Sequence, residues 1–470
     1  MRPEIPDALA ERIEAVYERG GYSTPSALVR DATRKRVALI EREGEQPPLV
    51  GLSDTDADPD AETTSDGGER VTRPPFKDRR GEGDGIVYGH NPFNDEPVRA
   101  DRFGQLRGGN TLVLGSVGSG KSVSTNVQLK RELEAHDDLR VIYIDIHGSA
   151  APLAETMESQ EVSLGDRVGI NPLEVMERSE IDGRTPHHEK APCATAFVKQ
   201  LPRGEYLVDN EVTIRVLQQA VKQALPRVAA SPQPDVTLAD VRVVIEDIAE
   251  SPSDHTLGIE QNKEHEASIA EEAVQLLHRT APLAVGGDES LRTFSRPTTF
   301  DIEDSRVTWL NFKDSSEAVR DAAMIAATET AFEQACASSD RVIIALDEFE
   351  HVVRTDYGDE LPSRIKQGRV HDVGWHFVGQ TIRDEEVSGD GGQVLKHFDI
   401  KHLHRMGTGS TAVSALDLTE DEREYVEGAR PGGMSGGNDG MEGSETLLMI
   451  GDKRIPTVVE APDELMTDKY

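Results

Sequence analysis

Cysteine is nearly absent from this chain. Two occur in 470 residues, Cys193 and Cys336, far apart and outside any CxxC pair. That argues against a disulfide framework or a zinc knuckle and predicts two buried free thiols. Aromatic residues make up only 4%. No run approaches the roughly 18 uninterrupted apolar residues of a membrane helix. The opening MRPEIPDALAERIE lacks the apolar stretch of a signal peptide. The expectation is a soluble, cytoplasmic protein, or one peripheral at the inner face of a membrane.

Positive charge is scarce too. Asp and Glu number 87 against 51 Lys and Arg, a net charge of -36, and only 14 of the basic residues are lysine. Such a balance usually marks a self-repelling disordered chain or an acidic tail. Here the acid runs through segments with clear apolar periodicity. The composition resembles that of proteins from salt-in halophilic archaea. At about 1 M salt the Debye length is only about 3 Å, so acidity alone does not exclude a DNA partner.

The length suffices for two or three domains. Residues 1–44 read as a small helical unit: Leu9, Ile13, Val16 and Tyr17 share a helical face, Gly20 and Gly21 stop it, and Ser23 or Thr24 caps a second helix. Residues 45–84 are rich in Asp, Glu, Gly, Pro, Ser and Thr and read as a disordered acidic linker. From about 85 the pattern is α/β. Strand patterns GIVYGH, TLVLG and RVIYIDI fill 85–175, and 176–300 is mostly helical. Strands resume over 301–470 with RVTWLNF, RVIIALDE, GWHFVGQ and FDIKHLHRM, and ETLLMIGDKRIPTVVEAP reads as a closing hairpin.

The chemistry is concentrated in GSVGSGKS, residues 115–122, which fits G-x-x-x-x-G-K-[ST] between a strand and a helix. Gly115, Ser116, Val117, Gly118, Ser119 and Gly120 would turn backbone N–H groups toward phosphate oxygens, with Val123 opening the helix behind them. Lys121 would reach the β- and γ-phosphates, and Ser122 would ligate Mg²⁺. The implied cofactors are ATP and Mg²⁺. RVIIALDEFEH supplies the partner strand. Asp347 would hold the Mg²⁺ shell, and Glu348 would polarise the attacking water.

GTPases, ABC transporters and small-molecule kinases fit poorly. NKEH at 262–265 lacks the aspartate of NKxD, and MSGGN at 434–438 falls after, not before, the Asp-Glu strand. Gln380 ends the strand after that pair and can sense the γ-phosphate. Arg369, eleven residues earlier, is either an ordinary surface arginine or a finger reaching a neighbouring subunit's nucleotide. His397, His402 and His404 make a possible but weak metal cluster, with no clear third ligand among the nearby acids. His187 and His188 read as solvated loop residues.

These motifs, with INPLEV at 170–175 and GRVHDVGWHFVGQT at 368–381 in the expected order, resemble the HerA–FtsK superfamily of DNA-pumping ATPases. Within it the chain is most similar to the type IV secretion and conjugation ATPases of the TraG/TraC kind. The resemblance covers roughly 85–470 and implies a RecA-like core with a helical insertion. It also implies a hexameric ring and possible contact with membrane secretion or conjugation machinery. The expected function is an ATP-driven DNA translocase with DNA as its partner; the alternatives are a secretion or pilus motor that moves protein at the membrane and a DNA-binding regulator with an ATP switch. It assigns Lys121, Ser122, Asp347 and Glu348 the Walker roles, Gln380 the sensor role and Arg369 the finger in trans, with Arg405 a second candidate. DIHGSA departs from the family's usual Asp-Pro turn, leaving the role of Asp145 open. Residues 1–44 resemble a ribbon-helix-helix unit, although Pro3 suits its strand poorly. The unit either contacts DNA or only dimerises or docks a partner.

Overall fold

The computed structural model describes residues 85–465 apart from 105, 107–108, 165–167, 177–185, 203–209, 226–235, 256–262, 285–288, 381–396, 408–415 and 432–442. The ribbon-helix-helix-like unit and the acidic linker lie outside the described residues.

An eleven-stranded sheet forms the frame. In chain order the strands are β1 Ile86–His90, β2 Pro97–Ala100, β3 Thr111–Leu114, β4 Leu139–Asp145, β5 Ser159–Ser163 and β6 Val307–Asn311. They continue with β7 Arg341–Asp347, β8 Val373–Gly379, β9 Ile400–Leu403, β10 Gly443–Ile450 and β11 Lys453–Glu460. The order across the sheet is β2-β1-β11-β10-β9-β3-β8-β7-β4-β6-β5. From β9 to β5 every neighbouring pair is parallel. The β10–β11 hairpin pairs antiparallel with β9 on one side and β1 on the other.

Helices cover both faces of the central strands β3, β8, β7, β4 and β6, so these are buried on both sides and read as largely hydrophobic runs. In β4, Val141 and Tyr143 pack with Leu129 and Leu133 of α1 (Lys121–Ala135) and Leu153 of α2 (Ala151–Thr156). Ile142 and Ile144 face the opposite core. That second core contains α7 (Glu317–Ala337), buried along most of its length, and the helices inserted between β5 and β6. The inserted helices are α3 Pro186–Lys199, α4 Glu211–Ala224, α5 Leu238–Glu250 and α6 Lys263–Arg279. α4 starts at Asn210, whose side chain accepts from Val212 N, and α5 carries a capping box between Thr237 and Asp240.

His187 and His188 lie in the first turn of α3, not in a loop. Cys193 and Cys336 are both buried, and neither forms a disulfide. Among the described residues no helix is long and apolar enough to cross a membrane.

Candidate active site

β3 runs into the Gly-rich turn, and α1 begins at Lys121. Gly118 and Gly120 have φ of 71° and 96°, a left-handed backbone that glycine adopts without steric cost. The Lys121 ammonium folds over the loop and donates to Gly115 O at 2.8 Å and Ser116 O at 3.3 Å. Burial lowers its pKa, while Glu348, Asp347 and Glu350 push the other way. The outer side of the loop is held by residues just beyond β9 and within β10. Ser116 N and Oγ both donate to Arg405 O, at 2.8 and 2.9 Å. His404 Nδ1 lies 3.1 Å from Ser119 O and 3.0 Å from Ser444 Oγ. Burial drives the His404 pKa down to about 3, so the ring is neutral.

β4 and β7 are adjacent parallel strands, so their C-terminal ends bring Asp145 and Asp347 together. Asp145 is fully buried, and its carboxylate organises the DIHGSA turn. It accepts from the backbone N–H groups of His147, Gly148 and Ala150, from Ser149 Oγ and from Trp309 Nε1. The turn thereby aims Ser149 Oγ at Asp347 Oδ2, 2.5 Å away. The role that the sequence left open for Asp145 is thus positional.

Burial, then the nearby Asp145 carboxylate, pushes Asp347 up to about 7. Such a crowded buried pair is a place where a divalent cation reverses the local preference and favours the charged carboxylate. Asp347 therefore fits the Mg²⁺ role, and Ser122 follows Lys121 in the first turn of α1.

Glu348 follows with φ of 50°, a left-handed conformation that costs a non-glycine residue about 1–3 kcal/mol. The strained turn lifts its carboxylate off β7 toward β8. Gln380 Nε2 donates to Glu348 Oε1 at 2.8 Å. The Gln380 backbone N–H donates to Glu350 Oε1 at 2.6 Å. His147 Nε2 stands 3.8 Å from the same Glu348 oxygen.

Lys121, Asp347, Glu348 and Gln380 thus converge at the C-terminal ends of β3, β7 and β8. That end is where open α/β sheets bind ligands. Arg369 does not join them. It lies before β8, at the opposite end of that strand, and donates to His397 O and Asp399 Oδ2, each at 3.1 Å. Arg405 stands beside its own chain's loop, which it holds through its carbonyl, while its side chain is exposed. His402 and His404 are buried with ring centroids 6.4 Å apart, and among the described residues no group of three or more His, Cys, Asp or Glu is placed to hold a metal ion. Ser149, Glu350 and Ser444 line the candidate site and were not singled out in the sequence, whereas His404 was read there only as a weak metal candidate and instead lies against Ser119 O. Only His404 carried a signal, as a polar residue in a strand pattern.

No family model matches the chain, and no curated protein matches it. Solved structures do. VirB4 of Thermoanaerobacter pseudethanolicus superposes with a TM-score of 0.63 at 19% identity, covering 83% of this chain and all of that one. The bacterial conjugative coupling protein TrwBdeltaN70, in a trigonal form with sulphate, gives 0.52 at 12% identity, covering 81% and 89%. TrwB with the non-hydrolysable GTP analogue GDPNP gives 0.50 at 12%, covering 81% and 90%. The described fold is therefore the RecA-like P-loop fold shared with VirB4 and TrwB.

Proposed function

We propose that this chain is an ATP-hydrolysing motor that moves DNA, working as a hexameric ring in conjugative transfer or DNA processing. One observation carries the hydrolytic part: Gln380 is bonded to Glu348 across the strand ends, within the charged surroundings of Lys121. A nucleotide switch needs the phosphate cradle but not a positioned carboxylate linked to a sensor.

The geometry around Lys121, Asp347, Glu348 and Gln380 supports the following roles. Backbone amides of 115–120 and the Lys121 ammonium bind the phosphates. Ser122 and Asp347 would hold Mg²⁺, which when bound offsets charge on the phosphate oxygens. Glu348 orients a water and accepts its proton. Gln380 keeps the Glu348 carboxylate aimed and links it to β8. Arg369, far from its own loop, is assigned to the neighbouring subunit's nucleotide. DNA as cargo draws on the conjugative coupling role in TrwB's description and on the ribbon-helix-helix-like pattern of 1–44.

The test is ATP hydrolysis in molar KCl and at low salt, with and without single- and double-stranded DNA. Glu348→Gln is expected to abolish turnover while nucleotide binding persists. DNA is expected to stimulate the wild-type rate. A rate indifferent to DNA of every length and at every salt would remove the DNA cargo and leave a motor for another substrate. A wild-type chain that binds ATP without hydrolysing it would reduce the reading to a switch.

A further inference from the structure

We propose that Glu350 is a positioning residue for hydrolysis: its carboxylate fixes the backbone of Gln380 and, through Gln380, the reacting oxygen of Glu348. The inference rests on the hydrolase reading above and adds a residue to it. Glu350 opens α8 (Glu350–Val353), directly after the strained Glu348 turn. Glu350 Oε1 accepts the Gln380 N–H at 2.6 Å, and Gln380 Nε2 donates to Glu348 Oε1 at 2.8 Å. One side chain therefore joins the end of β8 to the turn that carries the catalytic carboxylate.

Gly379 supplies an independent observation. A Cβ there would lie 2.4 Å from Glu350 Oε1 and 2.5 Å from Phe349 Cε1. Gly379 has no positive φ, so it is the carboxylate and the ring, not the backbone, that leave no room for a side chain. The Gly379 carbonyl in turn accepts the Gly115 N–H at 3.3 Å. Glu350 thus stands where the phosphate loop, β8 and the Asp-Glu turn meet, and its charge is among those acting on Lys121. Glu348 lies between β7 and α8, so no regular hydrogen-bond ladder holds it. Its carboxylate takes its aim from Gln380, and Gln380 takes its place from Glu350.

The experiment uses the full chain with ATP and Mg²⁺, measuring kcat, KM and the Kd of a non-hydrolysable ATP analogue. Glu350→Ala is expected to lower kcat about 10- to 100-fold, the scale of a misplaced reacting group, with KM and Kd within about twofold of wild type. Glu350→Gln keeps an acceptor oxygen and is expected to retain most of kcat. Gly379→Ala pushes the carboxylate aside and is expected to behave like Glu350→Ala. Wild-type kcat in Glu350→Ala overturns the proposal, as does a Glu350→Gln variant as slow as Glu350→Ala. So does a loss of analogue affinity that matches the loss of rate, the mark of a merely structural role. Should Glu350→Ala fail to fold, Gly379→Ala decides: slow with unchanged Kd supports the proposal, wild-type kcat overturns it. A wild-type chain without hydrolysis sinks the hydrolase reading itself, and the proposal with it.

Discussion

Burial pushes the Asp347 and Glu132 carboxyl groups, like that of Glu174, up to about 7. In Asp347 the neighbouring Asp145 adds to the effect. Glu132 lies on α1, and Arg102 partly offsets its burial. A carboxyl whose pKa is raised on folding holds a proton that the unfolded chain releases. Glu132 therefore makes stability fall as pH rises from about 4.5 to about 7, and no further above that. Glu132→Gln removes this penalty. Its Tm should exceed wild type at pH 8 and match it near pH 4.5; an equal or lower Tm at pH 8 would mean that Arg102 holds the group ionised. At this scale Lys121, Asp347, Glu348 and Gln380 could be read from motif and strand position, because their types and spacing follow from phosphate and water chemistry. Glu350 and Ser149 could not, because their partners are a backbone amide on another strand and a carboxylate aimed by a turn. His404 was legible as a chemical group, but not as a neutral ring set against Ser119 O.

Among the elements, the central strands of the parallel block announce themselves as apolar runs because helices bury both of their faces. β5, read as SQEVS, has a single buried residue and lies at the sheet edge, so it carries no such run. β2 opens on Pro97 at the other edge, where a missing donor is tolerated. α7 is buried on most sides, so it shows no stripe of the kind that made α4 readable. α7 also carries the link between core and insertion. Glu329 and Glu333, buried on α7, bind Lys190 of α3 at 2.6 and 2.9 Å. Glu329 also binds Arg364 of α9 (Leu361–Gly368) at 2.8 Å and accepts from Tyr357 OH at 2.6 Å. Burial alone would raise the Glu329 pKa, but Arg364 and Lys190 hold it well below the usual carboxylate range. Removing one member leaves the others charged in a dry site, so Glu329→Ala should cost about 3–5 kcal/mol. Chemical denaturation checks this, and a loss under 1 kcal/mol would show that water enters the cluster.

For the whole molecule, the proposed ring would give Arg369 a task. Its bond to Asp399 is a half-exposed ion pair, worth about 0–1 kcal/mol, so releasing it to another subunit costs little. Mixing Arg369→Ala chains with Lys121→Ala chains should restore part of the activity that each lacks alone. Steady-state hydrolysis across mixing ratios reads this out, and a flat, inactive series would count against a shared site. The α/β class and the order of elements were legible along the chain, whereas the sheet order was not, since it depends on which distant strands pair. That order has a consequence for how the protein is made. The phosphate loop emerges early in synthesis, yet β3 has its neighbours only in β8 and β9. Ser116 waits for Arg405, 289 residues later. During synthesis the loop lacks these neighbours until most of the chain has been made. Nascent fragments are therefore expected to hold nucleotide poorly, and a chain truncated before β9 lacks both the strand and the Arg405 carbonyl that hold the loop.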